Sequence, residues 1–117
     1  MKILIVDDDA PTANLIAATL RNFASRIEIA NTIAQAREWI KKVIFNLILL
    51  DLGMPDSTPQ ITMGLVPEFK ATGSKVAILT GAWPPQSPLP ETVGADAVFY
   101  KGQPDLREKL RALCLPR

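Results

Sequence analysis

The chain contains no histidine and a single cysteine, Cys114. The first absence removes the commonest general base and metal ligand. The second excludes an intramolecular disulfide framework and any multi-cysteine metal site. Aromatic residues make up only 6% of the chain, and they are not interleaved with basic ones. Thirteen Lys and Arg stand against 12 Asp and Glu, for a net charge of +1. Such a chain has no electrostatic case for binding nucleic acid or an anionic membrane surface. No apolar run is long enough to span a bilayer, and the four apolar residues Ile3–Val6 are too few for a secretory signal. These absences point to a cytoplasmic protein.

What is present is an ordinary globular balance, 48% hydrophobic and 21% charged over 117 residues. That length suits one domain, residues 1–117, with one core; there is no internal repeat or linker. Ile3–Val6 and Leu47–Leu50 are continuous apolar runs, as expected of strands buried on both faces. Lys75–Leu79 and Ala97–Tyr100 are weaker examples, and the short alternating Ile27–Ala30 suits an edge strand. Helical patterns lie between them. Pro11 fits the first turn of a helix followed by Leu15, Ile16, Thr19, Leu20 and Phe23 at helical spacing. Thr32 is placed to cap a second helix carrying Ala36, Trp39, Ile40 and Val43. Pro104 is placed to begin a last one through Leu106, Leu110 and Leu113.

Strands alternating with helices imply crossover units and a parallel α/β sheet. Two segments resist the pattern. Ile61–Ala71 reads as a helix, but Pro67 should kink it. Where a fourth crossover helix belongs, Pro84, Pro85, Pro88 and Pro90 intervene. Each interior proline costs about 3 kcal/mol of helix stability, so that helix is expected to be short or disrupted.

In an open parallel sheet, ligands sit outside the carboxyl ends of the strands. The polar residues of this chain gather there: Asp7 and Asp8 after the first strand, Asp51 after the third, Thr80 after the fourth and Lys101 after the fifth. An acid closing a buried apolar run is costly unless it is paired or liganded. Asp7 and Asp8 taken alone would serve equally well as a helix cap, and Asp51 as part of a plain turn. Taken together, three acids and a lysine match the needs of phosphoryl chemistry. There a hard cation and an ammonium neutralise the charge that repels an attacking carboxylate. Asp9 falls outside this set as a solvated or helix-start residue.

In the order and spacing of Asp7, Asp8, Asp51, Thr80 and Lys101, the chain resembles the response-regulator receiver domain of two-component signalling, over essentially its whole length. The resemblance implies a flavodoxin-like (βα)5 doubly wound sheet with strand order 2-1-3-4-5. It further implies that Asp51 is the phosphoacceptor. Mg²⁺ (or Mn²⁺) would be held by Asp8 directly, by Asp7 mostly through water, by Asp51 and by the Gly53 carbonyl. Thr80 and Lys101 would bind the phosphoryl group. The implied donor is a partner histidine kinase or phosphotransfer protein. Signalling would pass to a protein target that the sequence does not name, and a homodimer is compatible with the family.

The chain departs from the family pattern at several places. Gly102 stands where proline usually follows the lysine, Pro59 where a glycine is expected, and Val98 where an aromatic often swings inward. Tyr100, on the same strand face by period two, is the candidate substitute for that aromatic. These changes spare the chemistry and affect the response, so signalling through an unusual surface is expected. Gly53 and Ala82 beside the acceptor are small, and a short-lived phosphorylated form is expected. Two other functions compete. One is a degenerate receiver that acts as an interaction or dimerisation module without phosphate. The other is a haloacid-dehalogenase-type phosphatase, which would need an acid two residues after its nucleophile, where Gly53 stands.

Overall fold

The apolar runs split their side chains between two layers. Leu4, Val6, Ile48, Leu50, Val76 and Ile78 belong to one buried cluster, and Ile3, Ile5, Leu47, Leu49, Ala77 and Leu79 to the other. This alternation is what a strand covered on both faces requires. The computed structural model describes residues 1–81 and 94–114, the side chains at 59, 60 and 80 excepted. Its strands are β1 (Lys2–Val6), β2 (Arg26–Ala30), β3 (Leu47–Asp51), β4 (Lys75–Thr80) and β5 (Ala97–Tyr100). They form one parallel sheet in the order β2-β1-β3-β4-β5, as the resemblance implied. The expected disruption of the fourth helix falls on residues 84–90, which lie outside the described residues.

The helices are α1 (Ala10–Leu20), α2 (Ile33–Lys42), α3 (Pro59–Gly64), α4 (Val66–Lys70) and α5 (Leu106–Cys114). One layer packs Ala13, Ile16 and Leu20 of α1 with Leu110 and Cys114 of α5. The other packs Ile33 and Ala36 of α2 with Val66 and Phe69 of α4, around Phe45. Thr32 caps α2 as anticipated, its Oγ1 accepting from Gln35 N at 3.0 Å.

Three expectations shift. Leu15 is 51% exposed, and the buried stripe of α1 runs instead through Ala13, Ile16 and Leu20. The helical stretch around Pro67 is not one kinked helix but two short ones that meet at Leu65. Pro67 then sits in the first turn of α4, where its missing N–H has no intrahelical partner to lose. Pro104 precedes α5 rather than starting it, because residues 100–103 are taken up by a turn.

Candidate functional site

Because the sheet is parallel, its strands deliver their last residues to one edge. Val6 pairs with Leu50, so Asp7 and Asp51 emerge side by side. Asp51 pairs with Leu79, and Thr80 with Tyr100, which brings Lys101 to the same edge. Asp7 is pinned by its own backbone, its N–H donating to Ala30 O at 3.0 Å. Both Asp7 and Asp51 are buried, while Asp8 and Asp9 face solvent. Asp9 stands at the N-cap position of α1 without a side-chain bond to the backbone, and its carboxylate accepts from the Thr12 hydroxyl, apart from the cluster.

Lys101 joins the two buried carboxylates. Its Nζ donates to Asp51 Oδ2 at 3.0 Å and to Asp7 Oδ1 at 3.2 Å. Asp51 Oδ1 accepts from Gly53 N at 3.1 Å, and Asp7 Oδ1 also accepts from Asp9 N at 2.9 Å. Asp7 Oδ2 lies 3.1 Å from the ammonium, but in a direction that forms no hydrogen bond. It is a buried oxygen with charge nearby and no donor. Burial pushes the Asp7 carboxyl above its ordinary value, with the Asp51 charge adding to the rise and the Asp9 N–H and Lys101 opposing it. Burial pulls the Lys101 ammonium down, but the hydrogen bonds and charges of Asp51 and Asp7 together outweigh it and raise it. Lys101 is therefore a fixed cation throughout the neutral range.

One oxygen from each of Asp7, Asp8 and Asp51 lies within 4.8 Å of the other two. Opposite ligands of an octahedral Mg²⁺ stand roughly 4 Å apart, so a small side-chain adjustment lets one ion bridge them. The all-oxygen donor set suits a hard cation, and the unpartnered Asp7 Oδ2 leaves one buried acceptor for it or for its water. The residues fit such an ion.

The model for the response regulator receiver domain matches residues 3–98, which is most of the chain. The chain belongs to that family. This receiver domain is 28% identical over 115 residues to the signal transduction histidine-protein kinase BarA of Escherichia coli strain K12. The match covers 98% of this chain and 12% of BarA, so the chain spans about an eighth of that relative's length. Among solved structures, it is similar to a CheY-like receiver domain protein from Methanospirillum hungatei (28% identity, TM-score 0.75, 97% of this chain and 92% of that one). It is also similar to the response regulator TrrA of Thermotoga maritima in complex with Mg(2+)-BeF (25% identity, TM-score 0.74, 96% and 97% covered). Receiver domains are signalling modules and not classical enzymes, which places this chain in that class at the level of the family. No described helix is long and apolar enough to cross a membrane.

The structure therefore brings together four of the anticipated residues: Asp7, Asp8, Asp51 and Lys101. Gly53 reaches the site through its N–H; a Cβ built on it would stand 3.8 Å from Asp51 Oδ1, so Asp51 does not demand a glycine there. The backbone of Thr80 ends β4 at the site edge, and its side chain lies outside those described, as does Ala82. Val98 and Tyr100 share a strand face opposite to Phe99, as period two required, with Val98 39% exposed and Tyr100 half-buried.

Two neighbours of the site went unread in the sequence. Asp56, five residues beyond Asp51, accepts from Ile33 N at 2.9 Å and Ala34 N at 3.1 Å, and so ties the loop after β3 to the start of α2. Its carboxyl is held below the usual range, the Ile33 N–H being the largest cause. Gln103 closes the turn that carries Lys101. Asp56 acts across 23 residues and leaves no local signal; for Gln103, the glycine after Lys101 was the available hint of a turn.

Proposed function

We propose that residues 1–117 form a phosphoacceptor receiver domain of a two-component phosphorelay, acting in the cytoplasm and phosphorylated on Asp51. The observation that carries this reading is the Lys101 ammonium bridging two buried carboxylates at the carboxyl edge of the sheet. A structural ion pair needs one acid. Two acids held against each other, with a third within reach, are an unfavourable arrangement unless positive charge is to be recruited.

In the proposed reaction one Asp51 oxygen attacks the phosphorus of a phosphohistidine on a kinase or phosphotransfer protein. A P–O bond forms, the P–N bond breaks, and the electron pair leaves with the imidazole nitrogen, which can take a proton from solvent. Mg²⁺ (or Mn²⁺), held by Asp8, Asp51 and the Gly53 carbonyl, and by Asp7 through water, would neutralise the charge spreading over the phosphoryl oxygens. Lys101 keeps its proton throughout and exchanges its contact with the Asp51 carboxylate for one with a phosphoryl oxygen. Thr80, at the end of β4, would donate its hydroxyl to another. With Gly53 leaving its side of the acceptor open, attacking water is weakly excluded and the acyl phosphate is expected to be short-lived. Output to a protein target, and pairing with a second copy, would use surfaces other than the usual aromatic switch, since Val98 occupies that position and Tyr100 alone remains to replace it.

The test is incubation with acetyl phosphate and Mg²⁺ followed by intact-mass measurement. The expected result is a gain of one phosphate in the wild type and none in Asp51→Asn. A folded wild-type protein that takes up no phosphate would favour a phosphate-independent interaction module. Steady release of phosphate from monoesters would favour a phosphatase. Either outcome overturns the proposal.

A further inference from the structure

Lys101 is the one residue of the cluster that arrives on a long flexible stem, and such a side chain has rotamer freedom to lose. Its aim therefore depends on where the backbone holds it. Proline does not follow it here. The chain turns at once, Gln103 N donating to Tyr100 O at 3.1 Å with Gly102 at φ +84°. Lys101 and Gly102 are the central residues of this turn, and positive φ at the second of them is the type II geometry that glycine fills without strain. Proline, locked near φ −65°, could not take that place.

Gln103 then closes the turn a second time. Its Oε1 accepts from Tyr100 N at 2.7 Å, and its Nε2 donates to Asp105 Oδ1 at 2.8 Å. Asp105 in turn accepts at its carbonyl from Lys109 N in the first turn of α5, at 3.0 Å. One side chain thus holds the residue before Lys101 and, through Asp105, the start of a helix. Resting on the proposed role of Lys101, we propose that Gln103 is a positioning residue: it fixes the turn that aims the Lys101 ammonium at Asp51 and Asp7. Gly102 and Gln103 together replace the family's proline with a hydrogen-bonded device.

Two readouts separate aiming from mere support of α5. The first is the ¹⁵N resonance of the Lys101 ammonium, recorded without any phosphodonor, which is sharp and slow to exchange only while both carboxylates hold it. The second is the initial rate of labelling by acetyl phosphate at saturating Mg²⁺. Gln103→Ala should broaden or abolish the ammonium signal and slow labelling about tenfold, the order expected when a reacting group is displaced by less than 1 Å. Asp105→Ala, which frees the helix but keeps the Tyr100 bond, should leave both near wild type. The double variant Gln103→Glu with Asp105→Asn keeps the acceptor for Tyr100, reverses the 103–105 hydrogen bond and should recover both readouts. The proposal is overturned if Gln103→Ala preserves the ammonium signal and the rate, or if Asp105→Ala matches it in both. A wild type that takes no phosphate, with the ammonium signal still dependent on Gln103, would sink the phosphoacceptor reading and leave the positioning role standing.

Discussion

Replacing Lys101 with methionine removes the only charge that the described side chains set against Asp7 and Asp51, while keeping most of the stem's apolar contact. Deleting one partner of a fully buried ion pair costs roughly 3–5 kcal/mol, because the other charge stays behind. The Lys101 side chain retains 27% exposure, so water reaches part of the site and the loss should be smaller, about 2 kcal/mol. An unfolding entropy of about 2.1 cal/mol/K per residue gives a chain of 117 residues about 0.25 kcal/mol/K, so Tm should fall by about 8 °C. Two further signs follow. Without the ammonium, the buried Asp7 carboxyl rises further above its ordinary 3.8, so the folded state binds more protons than the unfolded one from that value upward. Stability of the variant is then lost as pH rises through that window, and Tm should increase on going from about pH 7 to about pH 5. Added Mg²⁺ replaces the missing charge and should raise Tm more in the variant than in the wild type. Circular-dichroism melts in EDTA and in Mg²⁺, at both pH values, read all of this. A variant that melts within about 2 °C of the wild type in EDTA, with no greater response to Mg²⁺, would refute the charge balance described for the site.

Two other perturbations probe how the site is held. Asp56→Asn should weaken the start of α2 and flatten the acid unfolding curve. Because the carboxyl is depressed below 3.8, its stabilisation is present above that value and is lost as pH falls through the lower folded value. Urea midpoints measured from about pH 5 to about pH 2 should drop less steeply in the variant, and parallel slopes would show the tie to be idle. Phe69→Ala removes a side chain with no exposure from beneath α4. It should cost about 3–5 kcal/mol as a lowered urea midpoint at unchanged slope, and a loss below about 1 kcal/mol would mean that the cavity collapses.

The sheet was legible because strands buried on both faces have to be apolar at every position, and Ile3–Val6 and Leu47–Leu50 are. The acids were legible for the opposite reason: Asp7 and Asp51 close those apolar runs, and although each alone would pass as a cap or a turn, their joint placement at strand ends with Lys101 marks a site. Ile16 and Leu20 of α1 are buried as their spacing implies, but Ala13 completes the stripe in place of Leu15, being small enough to lie against the sheet and too weakly apolar to stand out in the sequence. The break at Leu65 was placed two residues late because proline belongs in the first turn of the helix it starts, not at the end of the one it stops. Asp56 and Gln103 escaped notice for a general reason. A side chain bonded to a backbone N–H draws on chemistry that every residue offers, so the partner leaves no mark in the sequence. Only folded geometry shows that Asp56 reaches Ile33, or that Gln103 turns back on Tyr100.

All four pairings among the described strands are parallel, so each waits on a crossover connection and none can be closed by a tight hairpin. Asp7 and Lys101 stand 94 residues apart, and Asp51 and Lys101 stand 50 apart. During synthesis both acids leave the ribosome long before their counter-ion. Until β5 is in place, the described side chains set no positive charge against the two acids that β1 and β3 bring together. The final strand to emerge brings the neutralising group with it.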